Sequence, residues 1–403
     1  LVLGNLLVAT LNPRRFAQPD ALKAINPTRL LKFLNPYKSY LDGRGMKWPD
    51  NDLEEIGYVA LADILMKPDD QIPTQMVDAL YFVHEMATPE EMDNLIKAAR
   101  DEGIELDHDP DTTPADIAAQ VWLKAPALLE SMHAEVLVMK PKSFTHFKSQ
   151  EFGPKTFTAP DEKTMEALQS ELDLWFDDHK RGTGSKVLYF DYGDKISFLV
   201  RHGMPFKREG SLNEGQSGTV FYRPEIHDVL VYDRILNEMS VHTGTKGERE
   251  LYLAAFGRHL FSDAEYFPDT DKFTLEPLKS GDPDCLACGD IDGIEEVKLT
   301  ELQRLLGGPY GDIEIRKSKN YLASLASRSR TIPEKANLIL ASFSIKFDNA
   351  KNPRSVKIRP SNVATYTRDD DSPLVEKWLL ARGFIIEREE EADAAPVQAV
   401  ASA

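Results

Sequence analysis

The chain has 403 residues, with 66 Asp and Glu against 48 Lys and Arg and a net charge of −18. That length exceeds one ordinary core and predicts at least two domains. Cys285 and Cys288, the two cysteines, are too close in sequence to staple a fold, which excludes a disulfide framework and favours a reducing compartment, with the cytoplasm expected.

In chain order, the apolar opening over 1–11 is interrupted by Gly4 and Asn5, is too short to span a bilayer and lacks a signal peptide's charged start. No membrane association is expected, and the Leu1 start suggests a trimmed or mis-assigned beginning. From 18 to about 140, apolar residues recur at helical spacing. Helices are predicted over 53–66 and 74–86. Thr88-Pro89-Glu90-Glu91 is a helix start with a capping pattern, Gly103 ends that helix, and Thr113-Pro114-Ala115-Asp116 repeats the device. Nineteen acidic residues against three basic ones between Asp50 and Asp116 give this region a charge of −16. A segment over 140–160 reads as a linker or docking stretch, and 161–179 as a helix with Met165, Leu168, Leu172 and Phe176 on one stripe.

From Lys186 the period changes to two, the mark of strands. Hairpin strands are predicted over 187–192 and 195–202 around Gly193-Asp194, then strands over 220–223, 228–232 and 238–242 and a helix over 248–261. Strands over 338–347 and 355–359 form a second hairpin, with Phe343, Ile345, Phe347, Val356 and Ile358 on one face and Lys346, Lys357 and Arg359 on the other. A final helix starts at Ser372-Pro373 and closes at Gly383. The fold class predicted is α+β. An acidic all-helical N-terminal domain spans 1–146, a linker and connecting helix 147–185, a β-rich, mainly antiparallel α+β domain 186–386, and a disordered acidic and Ala-rich tail 387–403.

Charge is sorted along the sequence. Residues 313–363 hold eleven Lys and Arg against three acidic residues, a local charge of +8 in a chain whose remainder carries −26. Arg316, Lys317, Lys319, Lys346, Arg354, Lys357 and Arg359 are the candidate anion-binding or nucleic-acid-binding residues. Clustered cations on an acidic protein call for an anionic partner or an acidic face of the same protein, and the −16 segment is itself a candidate. Tyr321 and Tyr366 alone stand near to stack bases, which disfavours sequence-specific reading of single strands.

Three local patterns carry chemistry. Pro283-Asp284 followed by Glu296-Val297-Lys298 resembles the PD-(D/E)xK nuclease pattern, which would make Asp284 and Glu296 ligands of Mg²⁺ and Lys298 the residue that positions or activates water. Cys285 and Cys288 have the form of half a zinc knuckle, needing two further ligands from His227, His242 and His259. Arg201, His202, Arg223, His227, Arg258 and His259, with Asp228, punctuate the strands and could converge on an acid/base or phosphate site. Leu199-Val200-Arg201-His202-Gly203 also resembles the start of the histidine phosphatase family, which implies His202 as phosphoryl acceptor. The chain departs from that family in having strands next and no His after His259.

No phosphate loop, Gly-x-Ser-x-Gly elbow or dinucleotide fingerprint occurs, and no cofactor is expected outside the Mg²⁺ and Zn²⁺ readings. The expectation is a non-catalytic binding or assembly subunit, in an oligomer or multi-subunit complex, whose basic face engages nucleic acid or an acidic protein surface. The alternative is the Mg²⁺-dependent nuclease.

Overall fold

The computed structural model describes residues 18–387 apart from 50–55, 70, 152, 154–156, 214, 281–282, 349 and 369–370. The tail predicted over 387–403 and the apolar opening over 1–11 therefore lie almost wholly outside the described residues. The protein is α+β, and its chain divides into two compact units, Leu1–Leu137 and Val138–Ala403.

Eight described helices occupy the first unit: α1 (Pro19–Lys23), α2 (Pro27–Leu34), α3 (Lys38–Gly43), α4 (Tyr58–Met66), α5 (Thr74–Glu85), α6 (Pro89–Asp101), α7 (Pro114–Lys124) and α8 (Pro126–Met139), the last running just past its boundary. The capping signals act as their chemistry dictates. Thr88 accepts from the Glu91 amide and Thr113 from the Asp116 amide, each satisfying an amide that the first helical turn leaves open. Leu30, Phe33, Leu80, Val83, Leu95, Ile117 and Val121 form a buried core. Of the helix predicted over 53–66, Tyr58–Met66 is seen, and 53–55 lie outside the described residues.

The second unit is built on a ten-stranded sheet in the order β2-β3-β6-β7-β1-β12-β11-β10-β8-β9. In chain order its strands are β1 (Ser143–Lys148), β2 (Lys186–Asp191), β3 (Lys195–Gly203), β6 (Glu225–Asp233), β7 (Glu238–His242), β8 (Ile294–Gly307), β9 (Asp312–Lys317), β10 (Asn337–Phe347), β11 (Arg354–Arg359) and β12 (Val363–Thr365), and all pair antiparallel. Four helices join them: α9 (Glu162–Asp178), α10 (Lys246–Phe261), α11 (Tyr321–Ala326) and α12 (Ser372–Ala381). No described helix is long and apolar enough to cross a membrane.

Residues opposite each other on paired strands share a face, so the registers sort the sheet. On one face, Val187, Ile196, Phe198, Leu230, Tyr232, Met239, Val241 and Phe147 pack under α9 and α10 through Leu168, Leu172, Phe176, Tyr252 and Phe256. The register carries this face through Thr145 to Val363 and through Thr365 to Lys357. The opposite face forms the other core, where Leu299, Phe343, Ile345, Val356, Ile358 and Ala364 meet Val375, Trp378 and Leu379 of α12 and Phe384 beyond it. The two cores thus sit on opposite faces of the two halves of one sheet. The uncovered face beyond β1 carries Lys317, Lys346, Lys357 and Arg359 of the basic segment.

Two of the predicted segments take another form, and β8, β9 and β12 answer to no predicted strand. The linker expected over 140–160 contains β1, a central strand bonded to both β7 and β12. Its Ser-Phe-Thr-His-Phe-Lys run is six residues long, too short among lysines and prolines for alternation to stand out. The strand predicted over 220–223 belongs to a second, two-stranded sheet, β4 (Lys207–Asn213) paired with β5 (Gln216–Tyr222). It leaves Phe206, Leu212, Val220 and Phe221 exposed, so no buried periodicity marks it in the sequence.

Candidate functional site

On the uncovered face, the register lays out a continuous row: Lys317 on β9, Glu301 on β8, Ser342 on β10, Lys357 on β11, Thr365 on β12 and Ser143 on β1. Beside it stand Lys298, Ser344 and Ser355, then Glu296 opposite Lys346, with Arg359 two residues from Lys357. The centre of the face is therefore small hydroxyl side chains, Ser342 among them buried, with Lys and Arg and the carboxylates of Glu296 and Glu301 around them. Lys357 and Arg359 are exposed and, among the described residues, form no ion pair.

The rest of the basic segment is more tightly held. Lys317 pairs with Glu301 at 3.1 Å. Burial pushes the Glu301 carboxyl up, but hydrogen bonds from Gln303 and Lys317 outweigh it and hold it below its usual range. Lys346 donates to the Ala350 carbonyl and lies 3.9 Å from Glu295. Arg316 pairs with Glu314 on the opposite face, and Arg354, on that face too, pairs with Asp371 at 2.9 Å. Lys319 is exposed between β9 and α11. The structure thus gathers Lys317, Lys346, Lys357 and Arg359 on one face and turns Arg316 and Arg354 away.

The nuclease-like residues are only partly gathered. Glu296 and Lys298 share the uncovered face of β8 and pair with each other at 2.5 Å, while Asp284 sits exposed in a short 3₁₀ turn, Pro283–Leu286. Cys285 and Cys288 are not joined in a disulfide and pack against the α12 core, and burial pushes the Cys288 thiol up. The histidines considered for zinc are engaged elsewhere: His227 lies 3.4 Å from Glu225, His242 Nδ1 lies 2.8 Å from the Ser143 carbonyl, and His259 lies 2.8 Å from Glu171.

The polar residues expected to converge separate into four places. Arg201 and His227 flank Glu225 on one face of the sheet. Arg223 donates to the Lys180 and Met204 carbonyls at 2.7 and 3.2 Å and lies over the Phe206 ring. Arg258 and His259 both bind Glu171. His202 and Asp228 do meet, at the end of the α9 and α10 core, and with them come residues that sequence reasoning missed: Arg181, Thr243, Glu248 and Tyr252.

Within that buried network, His202 Nε2 is 3.0 Å from Asp228 Oδ2, and Nδ1 is 3.0 Å from the Gly203 carbonyl. Both ring nitrogens thus face oxygen atoms of the protein. Phe176 stacks on the imidazole with centroids 4.1 Å apart. Asp228 also accepts from Tyr252 at 2.7 Å and Thr243 at 3.1 Å. Burial and the Asp228 charge push the Tyr252 phenol well above its ordinary value, which keeps it a donor. Glu248 serves two ends at once: it closes the capping box of α10 with Thr245, accepts from Thr243 at 2.8 Å, and receives Arg181. The Thr245-x-x-Glu248 spacing was the one sequence signal for this residue.

His202, Asp228 and Glu248 each offer a ligand atom, all within 4.8 Å of one another, the described residues' one such group. The donor set suits a first-row divalent ion. Yet Arg181 already supplies a cation to Glu248, and hydroxyls and an amide complete the carboxylates, so protein groups satisfy the cluster without one. At 3 % exposure, His202 is also out of reach of a phosphoryl donor, against the role implied by the histidine phosphatase resemblance.

A second buried network lies on the opposite face. Glu238 accepts from His146 Nδ1 at 2.8 Å and from Lys272 at 2.6 Å, and Ser240 lies 2.8 Å from the same His146 nitrogen. Burial raises the Glu238 carboxyl, but the Lys272 ammonium and His146 together hold it well below the usual carboxylate range. Burial and the Lys272 charge depress His146 against the pull of Glu238. No protein-family model and no curated protein sequence matches this chain.

Proposed function

We propose that this protein is a non-catalytic binding or assembly subunit, in which an acidic helical N-terminal domain accompanies a β-rich domain whose basic sheet face engages nucleic acid. The observation that carries the reading is the exposed pair Lys357 and Arg359, outside any described ion pair and beside Ser342, Ser344, Ser355 and Thr365. Phosphates can approach such a face closely because its centre holds no bulky side chain, while its cations displace counterions. The few aromatics nearby fit recognition of the backbone rather than of bases. An acidic protein surface would meet the same cations and is the competing outcome.

The test is fluorescence anisotropy of labelled single- and double-stranded oligonucleotides across a salt titration, with the full chain. Binding should weaken as salt rises. Changing Lys346, Lys357 and Arg359 together to Glu should abolish it, and changing them to Ser should lower the salt slope by about 3, near one per phosphate contact. Unchanged binding in the Glu variant sinks the proposal, and binding of polyglutamate without any of nucleic acid transfers the face to an acidic protein.

The Mg²⁺-dependent nuclease is kept as a second reading because Glu296 stands opposite Lys346 in register, with Lys298 on the same face. Degradation of DNA or RNA that requires Mg²⁺ and is lost in Glu296→Ala would establish it. Retention without turnover leaves the binding reading.

A further inference from the structure

β9 ends the sheet, and everything about its outer edge is open. Asp312, Ile313, Ile315, Arg316 and Lys317 are exposed, Ile313 and Ile315 at 52 % each, and no described strand pairs beyond it. Proteins blunt such edges with short strands, proline, bulges or charged side chains, because an open edge templates a further strand, and charges discourage pairing unless the partner strand opposes them with the other sign. The six residues of β9, Asp-Ile-Glu-Ile-Arg-Lys, contain no proline and carry both signs.

We infer that β9 is the interface to a second copy of this chain, paired antiparallel about a two-fold axis perpendicular to the sheet with Ile315 opposite its own counterpart. Such an axis keeps each residue on its own face, so only registers that join residues of equal parity are allowed. With Ile315 on the axis, Glu314 of each copy stands opposite Arg316 of the other, and Ile313 stands opposite Lys317. Opposite-charge cross-strand pairs stabilise a ladder, as do β-branched pairs. Moving the axis by one residue, to Glu314, puts that carboxylate opposite itself, a like-charge pair at the centre of the interface. The strand is therefore complementary to itself in one register and not in the next, which specifies a second copy rather than an arbitrary strand.

The consequence for the molecule is geometric. The two-fold leaves both uncovered faces on the same side, so the open face continues across the interface, with Lys317 of each copy opposite Ile313 of the other. The inference stands without the nucleic-acid reading, and its test uses no nucleic acid.

Sedimentation velocity of the full chain over a concentration series should show a monomer–dimer equilibrium. Ile315→Lys, which places like charges on the axis, should shift the protein to monomer. Glu314→Arg and Arg316→Glu should each weaken the dimer at least tenfold, and the Glu314→Arg/Arg316→Glu double variant should recover most of the loss. Because the two residues also pair within one chain, the melting temperature of each variant is measured alongside, and a dimer loss that only tracks a fall in melting temperature overturns the inference. Under mild oxidation Ile315→Cys should form a covalent dimer and Asp312→Cys should not. A wild-type chain that stays monomeric at all concentrations overturns the inference. So does a dimer indifferent to the charge exchange, or cross-linking as efficient at 312 as at 315.

Discussion

The two halves of the large sheet treat charge in opposite ways. From β2 to β1, charged and polar groups are drawn inside: Arg181, His202, Asp228 and Glu248 under α10 on one face, His146, Glu238 and Lys272 on the other. From β12 to β9, they stand on an open face, with hydroxyl side chains between them. A buried charge costs several kcal/mol to desolvate and persists only with its bonds complete. The first half therefore reads as scaffold, however suggestive its His, Asp and Glu, and the second half is where charge remains available to a partner.

The largest effect expected from testing this contrast lies in the first network. Glu248→Ala removes the acceptor of Arg181, Thr243 and the Thr245 amide at once, and loss of one member of a buried pair costs about 3–5 kcal/mol. Urea denaturation should show a fall of that size, and a loss under about 1 kcal/mol would mean that the network is no more than a surface pair. Metal content offers a direct attack on the scaffold reading. Protein purified without chelator should carry no stoichiometric divalent ion, and EDTA should leave its melting temperature unchanged. One tightly bound ion per chain, with a melting temperature lowered by EDTA, would make His202, Asp228 and Glu248 a metal centre instead.

How far this division could be read from the chain depends on what each feature requires. Helix starts were legible at Thr88 and Thr113, because a cap acts within three residues. The β10–β11 hairpin was legible from the alternation of Phe343, Ile345 and Phe347 against Ser344 and Lys346. The basic segment was legible as charge, but not that Arg316 and Arg354 turn to the opposite face, since strand parity shows only once the strand's bounds are known. β1 was hidden because a central strand of six residues has little room for a pattern. The buried networks were hidden for another reason: Arg181, His202, Asp228, Thr243 and Glu248 come from four separate segments, and local spacing says nothing about which of them meet. The polar cluster expected around Arg223, Arg258 and His259 failed on the same ground.

A smaller effect follows from the second network and acts through pH. His146 is depressed by burial and by Lys272, so near its ordinary value of 6.5 the folded chain binds fewer protons there than the unfolded chain. Stability then rises with pH across that range and is lost as pH falls below it. Glu238, also depressed, adds a loss of the same sign below the usual carboxylate range. Denaturation midpoints should drop between about pH 7 and pH 5.5, by about 1 kcal/mol in stability from His146, and His146→Gln should flatten that slope. A wild-type slope that survives the substitution would assign the titration to another group.

The smallest effect expected on stability is the most discriminating, because it belongs to the open half. Lys357→Ser and Arg359→Ser remove charges outside any described ion pair, Lys357 from between Ser342 and Thr365 and Arg359 from opposite Val363. Surface changes of this kind stay within about 0.5 kcal/mol, so the denaturation curve should be nearly superimposable on that of the parent. The same double variant should bind nucleic acid more weakly at every salt concentration, with a salt slope reduced by about 2. The pair of readouts separates the two ways of being wrong. A large fall in stability would mean that these cations are structural, like those of the first half, and the contrast between the halves would dissolve. Intact stability with an unchanged salt slope would leave the contrast standing and move the partner of the open face away from phosphates.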